Sequence, residues 1–348
     1  MDRKPLVYIL ISASLFGISS PLAKLLLRDI SPIAMAGLLY LGAFLGLYFY
    51  SLMAPKKHSP AQAARLRKSD LPWLFGAILA GGVIAPISQM LGLNLSTGFS
   101  TSLLLNLEGV TTAVIAVFIF GENAGKRLWL AMLCMTLAGV LLSWNPGQSS
   151  FNPGGPLLIL LAVTCWGIDN NLTRQLSGRN PIQITYLKGL IGGTTSLTVA
   201  LVLGMKIPLD FMLIAALILG AFSYGISLVF FIKALRHMGS SRTGAFFSLG
   251  PFFGALVSLL ILRESVGWVM IPAAILMAGG VWIISGERHE HPHVHLTTEH
   301  SHSHKHDDLH HLHPHPEKTS EPHAHEHVHE EFVHSHAHWP DTGHRHEH

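Results

Sequence analysis

The feature that most constrains this chain is a series of apolar runs, separated by short breaks rich in Pro, Gly or charge. A bilayer core needs about 20 apolar residues per helix, because the backbone polar groups must be satisfied within the segment. Ten such runs fit the sequence: 5–27, 31–53, 71–94, 98–120, 126–145, 154–173, 181–204, 210–233, 241–262 and 265–286. The breaks include Ser31-Pro32, Asn145-Pro146-Gly147 and Asn180-Pro181. The first run is too long for a signal-peptide core and lacks a small-x-small cleavage site, so it reads as the first membrane helix. The fold class expected is therefore all-α and integral to the membrane, with ten transmembrane helices.

Charge divides the chain into two materials. Only 12% of the 348 residues are charged, against about 25% in soluble domains. Residues 289–348 hold 22 of the 24 His, 11 acidic residues and 3 Lys or Arg, while residues 1–288 carry a net +11. Those cations sit in short loops rather than on one soluble face, which excludes nucleic acid as a partner. Lys and Arg accumulate in cytoplasmic loops. Numbering the loops from an inside N-terminus puts Arg3, Lys4, Lys56, Lys57, Arg65, Arg67, Lys68, Lys126, Arg127, Arg174, Arg179, Lys233, Arg236 and Arg242 inside, with only Arg28, Lys206 and Arg263 outside. Both termini are expected in the cytoplasm of a multi-pass protein of the cell (inner) membrane.

The two halves resemble each other. Phe16-Gly17, Ser20 and Lys24 line up with Trp166-Gly167, Asn170 and Arg174 at an offset of 150 residues. Ser31-Pro32 matches Asn180-Pro181, and Leu107-Glu108-Gly109 with Gly121-Glu122 matches Leu249-Gly250-Pro251 with Arg263-Glu264. Five helices per copy is an odd number, so the second copy enters the membrane from the opposite side. Such inverted repeats place a substrate site near the midplane and work by alternating access. The expected units are residues 1–145, residues 146–288 and a tail, 289–348.

These residues resemble the drug/metabolite transporter superfamily, specifically its EamA type with two five-helix repeats. The aromatic-Gly pair, the small polar residue and the following cation satisfy one family pattern in both halves. In a second pattern Gly109 stands where Pro is usual, and Arg263 where Gly is usual. The resemblance covers about residues 5–286. It implies secondary transport, most often export of amino acids, metabolites or toxic compounds, and names no substrate.

Ionisable residues inside a bilayer are costly and usually face a cavity or a partner. Glu108 and Asp169 are read as protonatable coupling or substrate groups, with Lys188 as counter-ion. Asn170, Asn106 and Trp166 join them as the expected translocation path. Phe16, Tyr186, Tyr224, Gln89 and Asn94 are further candidates to line a cavity, although packing explains them as well. Lys24 and Arg174, near helix ends, read as headgroup anchors. Gly42/Gly46, Gly189/Gly193 and Gly250/Gly254 read as helix-packing contacts. No nucleotide-binding Gly-rich loop, His-Glu-x-x-His, Gly-x-Ser-x-Gly or Cys-x-x-Cys is present, so an enzyme reading has no support.

The tail alternates His with other residues. His289, His291, His293 and His295 form the first group, followed by His300, His302, His304 and His306, then by His310, His311, His313 and His315. His323, His325, His327 and His329 follow, with His334, His336 and His338 after them. Its apolar content is too low for a core, so disorder is expected. Imidazole-rich, thiol-free ligation suits Zn, Ni, Co or Cu. No cofactor is required by the rest of the chain. Three functions are therefore weighed. The first is an organic-solute exporter whose tail binds metal. The second is a transition-metal exporter whose tail captures or senses the ion, and the third a membrane-anchored metal sensor, against which the intact repeat argues. The expected partners are the bilayer and a small-molecule or metal-ion substrate, with a homodimer as a further option.

Overall fold

The computed structural model describes residues 4–53, 64–122, 125–143, 153–207, 209–263, 268–285, 290–295, 298–304, 323–329 and 332–337. Its body is helical throughout: α1 (Lys4–Leu26), α2 (Pro32–Met53), α3 (Lys68–Leu95), α4 (Gly98–Phe118), α5 (Lys126–Ser143), α6 (Gly154–Gln175), α7 (Pro181–Val202), α8 (211–238), α9 (240–262) and α10 (Met270–Ser285). Six of the helical runs are long and apolar enough to cross a membrane by length and composition alone.

Local chemistry sets the helix ends. Asn180 accepts from the N–H groups of Ile182 (3.0 Å) and Gln183 (3.4 Å), with Pro181 in the first turn, where its missing N–H is no loss. Thr97 caps α4 through Ser100 N–H at 3.0 Å, and Asp210 caps α8 through Met212 N–H at 2.9 Å. Gly121 (φ +67°) closes the exit from α4, and Arg263 (φ +51°) follows α9. These are the positions aligned by the repeat, so the backbone keeps its left-handed turn even where the second half lacks glycine.

Packing carries a two-fold pattern. Helix α2 packs on α7, α5 on α10 and α4 on α9. Helix α1 packs on α8 and α9, while α6 packs on α3 and α4. Exchanging the first five helices for the last five maps each of these pairs onto another or onto itself. Small residues permit the approach: a Cβ at Gly17 would collide with the Gly250 backbone of α9, and one at Gly167 would lie 2.7 Å from the Thr111 hydroxyl of α4. Between them, α4, α5, α9 and α10 enclose a core of Phe99, Leu103, Ala138, Ala255, Ala273 and Met277. Helices α3 and α8 each contain a π-helical segment, Ile78–Ile84 and Ala221–Ile226. The wider turn leaves the Gly81 carbonyl to accept from both the Tyr40 hydroxyl and Trp166 Nε1 (3.2 Å).

Parts of the tail are described as strands. Strands β1 (Glu290–His295) and β4 (Phe332–Ala337) pair antiparallel, as do β2 (Thr298–His304) and β3 (His323–His329). The alternation of His with other residues has the two-residue period of a strand, which is compatible with such ladders. His289, His306, His310, His311, His313, His315 and His338 lie outside the described residues, as do Lys56 and Lys57 of the basic linker.

Candidate translocation site

Where α4 and α6 meet, the two halves of the body bring their polar residues together. Asn170 donates to Glu108 Oε1 and to the Thr112 hydroxyl, both at 3.0 Å. Asn171 donates to the carbonyls of Thr112 (3.0 Å) and Gly167 (2.8 Å), fixing α6 against α4. At the position of α6 preceding Asn170, both oxygens of Asp169 accept from Lys188 Nζ at 2.6 Å, and the Thr173 hydroxyl donates to Oδ1 at 2.8 Å. Asp169 and Lys188 are 2% and 1% exposed, so this ion pair is fully withdrawn from solvent. Gly81 makes room for it, because a Cβ there would overlap the Asp169 carboxylate.

Glu108 is equally buried, yet among the described residues no cation is paired with it. It lines a cavity of about 30 Å³ together with Asp169, Asn170, Trp166, Tyr40 and Tyr224. Phe16, Phe231 and Phe247 close the apolar side. Their rings interlock, Phe16 meeting Trp166 and Tyr224 at 5.5 Å and Phe247 at 5.1 Å. That space has room for about two waters. The Tyr224 hydroxyl donates to Gln89, which donates in turn to Ser20. Ser12 and Ser227 exchange hydrogen bonds with each other's carbonyls at 2.8 and 2.9 Å, joining α1 to α8 beside the cavity.

Of the residues singled out in the sequence, Glu108, Asp169, Asn170, Trp166, Phe16 and Tyr224 line this cavity; Lys188 adjoins it through Asp169 and Gln89 through Tyr224. Asn106 points elsewhere, donating to Met277 Sδ on α10 at 2.9 Å. Tyr186 packs on Phe44 at 4.7 Å, and Asn94 lines a separate cleft near the end of α1. Thr112 and Thr173 were missed, although each lies four residues beyond a candidate carboxylate and so on the same helix face. Tyr40, Ser227 and Phe247 carried no comparable signal.

The charged helix ends correct the anchor reading of Arg174 and Lys24. Arg174 is buried and paired with Glu122. Lys24 donates to the carbonyls of Leu93 (2.6 Å) and Ser96 (2.7 Å) at the end of α3. Beside Arg174, Arg179 grips Asp70 with two bonds of 2.8 and 3.1 Å, and Arg236 donates to the carbonyls of Ser177 and Arg179. Each of these cations satisfies backbone or carboxylate groups at a helix end. Among the described residues, no group of three or more His, Cys, Asp or Glu is placed to hold a metal ion.

The model of the EamA-like transporter family matches residues 3–144 and again 153–286. An uncharacterized transporter of Methanothermobacter thermautotrophicus is 30% identical over 292 residues, covering 80% of this chain and 85% of the relative. The uncharacterized transporter YdeK of Bacillus subtilis is 26% identical over 291 residues, covering 76% of this chain and 91% of its own length. A solved protein structure superposes with a TM-score of 0.63 over 80% of this chain and 95% of its own, at 17% identity, which is likeness of fold alone.

Proposed function

Because the chain belongs to the EamA-like transporter family, and is thus a membrane transporter and not an enzyme, we propose that it is a secondary exporter of a small solute through the Glu108 cavity. In this reading ten helices cross the cell (inner) membrane as two inverted repeats of five, and both termini are cytoplasmic. One observation carries it. Glu108 is a buried carboxylate at the contact between the halves, held by a neutral amide, while the neighbouring Asp169 is neutralised by Lys188. Charge balance in a low-dielectric cavity then calls for a proton or a cationic group of the solute at Glu108. Alternate occupation by the two is a coupling device.

The tail is assigned as a cytosolic binder of Zn, Ni, Co or Cu. Its ladders set His300 opposite His327, His302 opposite His325 and His304 opposite His323 along the backbone. A second reading, export of the metal itself, draws on that tail. It is the weaker one, because the cavity is lined by carboxylate, amide, hydroxyl and aromatic groups and by no imidazole or thiol.

The test is transport in proteoliposomes, with substrates found by comparing the metal and amino-acid sensitivity of cells with and without the gene. Glu108→Gln keeps the shape and removes the charge, so transport should fall or lose its pH dependence at normal membrane abundance. Wild-type transport by Glu108→Gln across pH would reduce the residue to a packing role.

A further inference from the structure

At about 30 Å³ the cavity is too small for an organic solute, so such a solute enters or leaves when the body rearranges. At the end carrying Arg174, a single carboxylate joins three elements, the exit from α4, the end of α6 and the start of α9. Glu122 follows the left-handed Gly121 and belongs to the first half of the chain. Its Oε1 accepts from the Ser240 N–H at 3.0 Å, and its Oε2 from the Ser241 N–H at 3.1 Å and the Ser241 hydroxyl at 2.6 Å. Arg174, at the end of α6, pairs with Oε1. The two N–H groups open α9, where exposed amide donors and the helix dipole both favour a negative charge.

No loop gives slack at this point. Helices α8 and α9 follow each other directly, with only Gly239 outside helical geometry at φ 74° and ψ 175°. A side chain there is strained by the positive φ, and its Cβ would lie 3.2 Å from the Arg174 guanidinium, which would have to shift to receive it. One turn back along α6 from Arg174 is Asn170, the residue that holds Glu108. The opposite end is built from equivalent parts in another arrangement. Lys24, the counterpart of Arg174 in the repeat, donates to carbonyls where α3 ends, beside a cleft of about 280 Å³ lined by Lys24, Leu27, Arg28, Asn94 and Leu262.

We propose that Glu122 is a latch: its hold on Arg174 and on the first turn of α9 keeps the cavity closed at this end, and opening there requires its release. The proposal rests on the reading that the Glu108 cavity is the path. It assigns a gating role to a residue that makes no contact with the cavity.

The test uses the full chain with Cys134→Ser and Cys165→Ser, carrying Ser223→Cys in the cavity wall as a reporter. A membrane-impermeant maleimide is applied to each face in turn, with intact cells and inverted vesicles. With the latch intact, the reporter should react slowly from the Glu122 face. Glu122→Gln should speed that reaction about tenfold, the signature of a population shift toward the open state, without speeding reaction from the opposite face. Gly239→Ala should act in the same direction. Ser241→Ala, which removes only the hydroxyl contact, should give a smaller increase and serves if Glu122→Gln fails to insert. The exchange of charges, Glu122→Arg with Arg174→Glu, should stay fast, because a guanidinium in place of the Glu122 carboxylate cannot accept from the α9 amides. An unchanged rate in both Glu122→Gln and Ser241→Ala would overturn the latch, and so would a slow rate restored by the exchange. If Glu122→Gln opens the reporter while Glu108→Gln transports normally, the latch stands and the path assignment falls.

Discussion

Replacing Asp169 with Asn would leave the Lys188 ammonium buried against a neutral amide. The pair is fully enclosed, with side-chain exposures of 1% for Lys188 and 3% for Asp169, so solvent screening does not soften the loss. Breaking a buried ion pair from one side costs about 3–5 kcal/mol, because the remaining charge has no counter-charge. An ordinary interhelical hydrogen bond in a membrane protein contributes only about 0.6 kcal/mol. The two values are far enough apart to decide what the contact is. Lys188→Met removes the other partner at similar volume and should cost a comparable amount. The double variant removes both charges and leaves the new amide within reach of the Thr173 hydroxyl, so its cost should be about 1 kcal/mol. The cycle then gives a coupling well beyond about 3 kcal/mol. Equilibrium unfolding in mixed micelles of mild detergent and dodecyl sulfate, followed by tryptophan fluorescence, measures each corner. An Asp169→Asn variant within about 1 kcal/mol of wild type, or costs that simply add, would show that the pair is solvated or absent.

Arg263→Gly relieves a non-glycine residue at φ +51° and should stabilise the protein by about 1 kcal/mol in the same unfolding assay. A Cys placed in the 146–153 loop should react with an impermeant reagent on intact cells, whereas one in the tail should not; tail labelling would overturn the orientation. Removal of residues 289–348 should abolish binding of Zn, Ni, Co and Cu and leave insertion intact. In the full chain that binding should weaken steeply below about pH 6 by calorimetry, since imidazole must be neutral to ligate.

The helices were legible because their signal is local. An apolar run long enough for a bilayer announces itself, and Asn180, Asp210 and Gly121 mark their own boundaries. The misreading at 234–240 has an equally local cause. Lys233, Arg236 and His237 look like a loop, yet α8 continues through them to Met238. Lys233 lies over the rings of Tyr8 and Phe230 at 5.4 and 5.3 Å, and Arg236 is spent on carbonyls at the end of α6. Polar residues with such partners stay helical, and only Gly239 breaks the run. Phe230 apart, the partners come from α1 and from the turn that follows α6, so no window around residue 236 contains the information.

The site was legible in part for the same reason. Burial of a charge in an apolar run identified Glu108, Asp169 and Lys188, because the cost of an unsatisfied ion is independent of where its partner comes from. Which charge stays uncompensated is a different kind of fact. Lys188 could have faced either carboxylate, and only the packing of both α6 and α7 on α3, with α6 on α4, gives it to Asp169. That allocation leaves Glu108 with the amide of Asn170, 62 positions away in the chain. Asn106 illustrates the converse: it sits two residues before Glu108, about 200° around a helix of 3.6 residues per turn, and so meets α10 rather than the cavity. The repeat ties these observations together. Positions matched at an offset of 150 residues, Ser20 with Asn170 and Lys24 with Arg174, occupy equivalent helices yet carry different chemistry. Two-fold symmetry of the backbone therefore shapes the cavity, and its breaking in the side chains gives that cavity a charge.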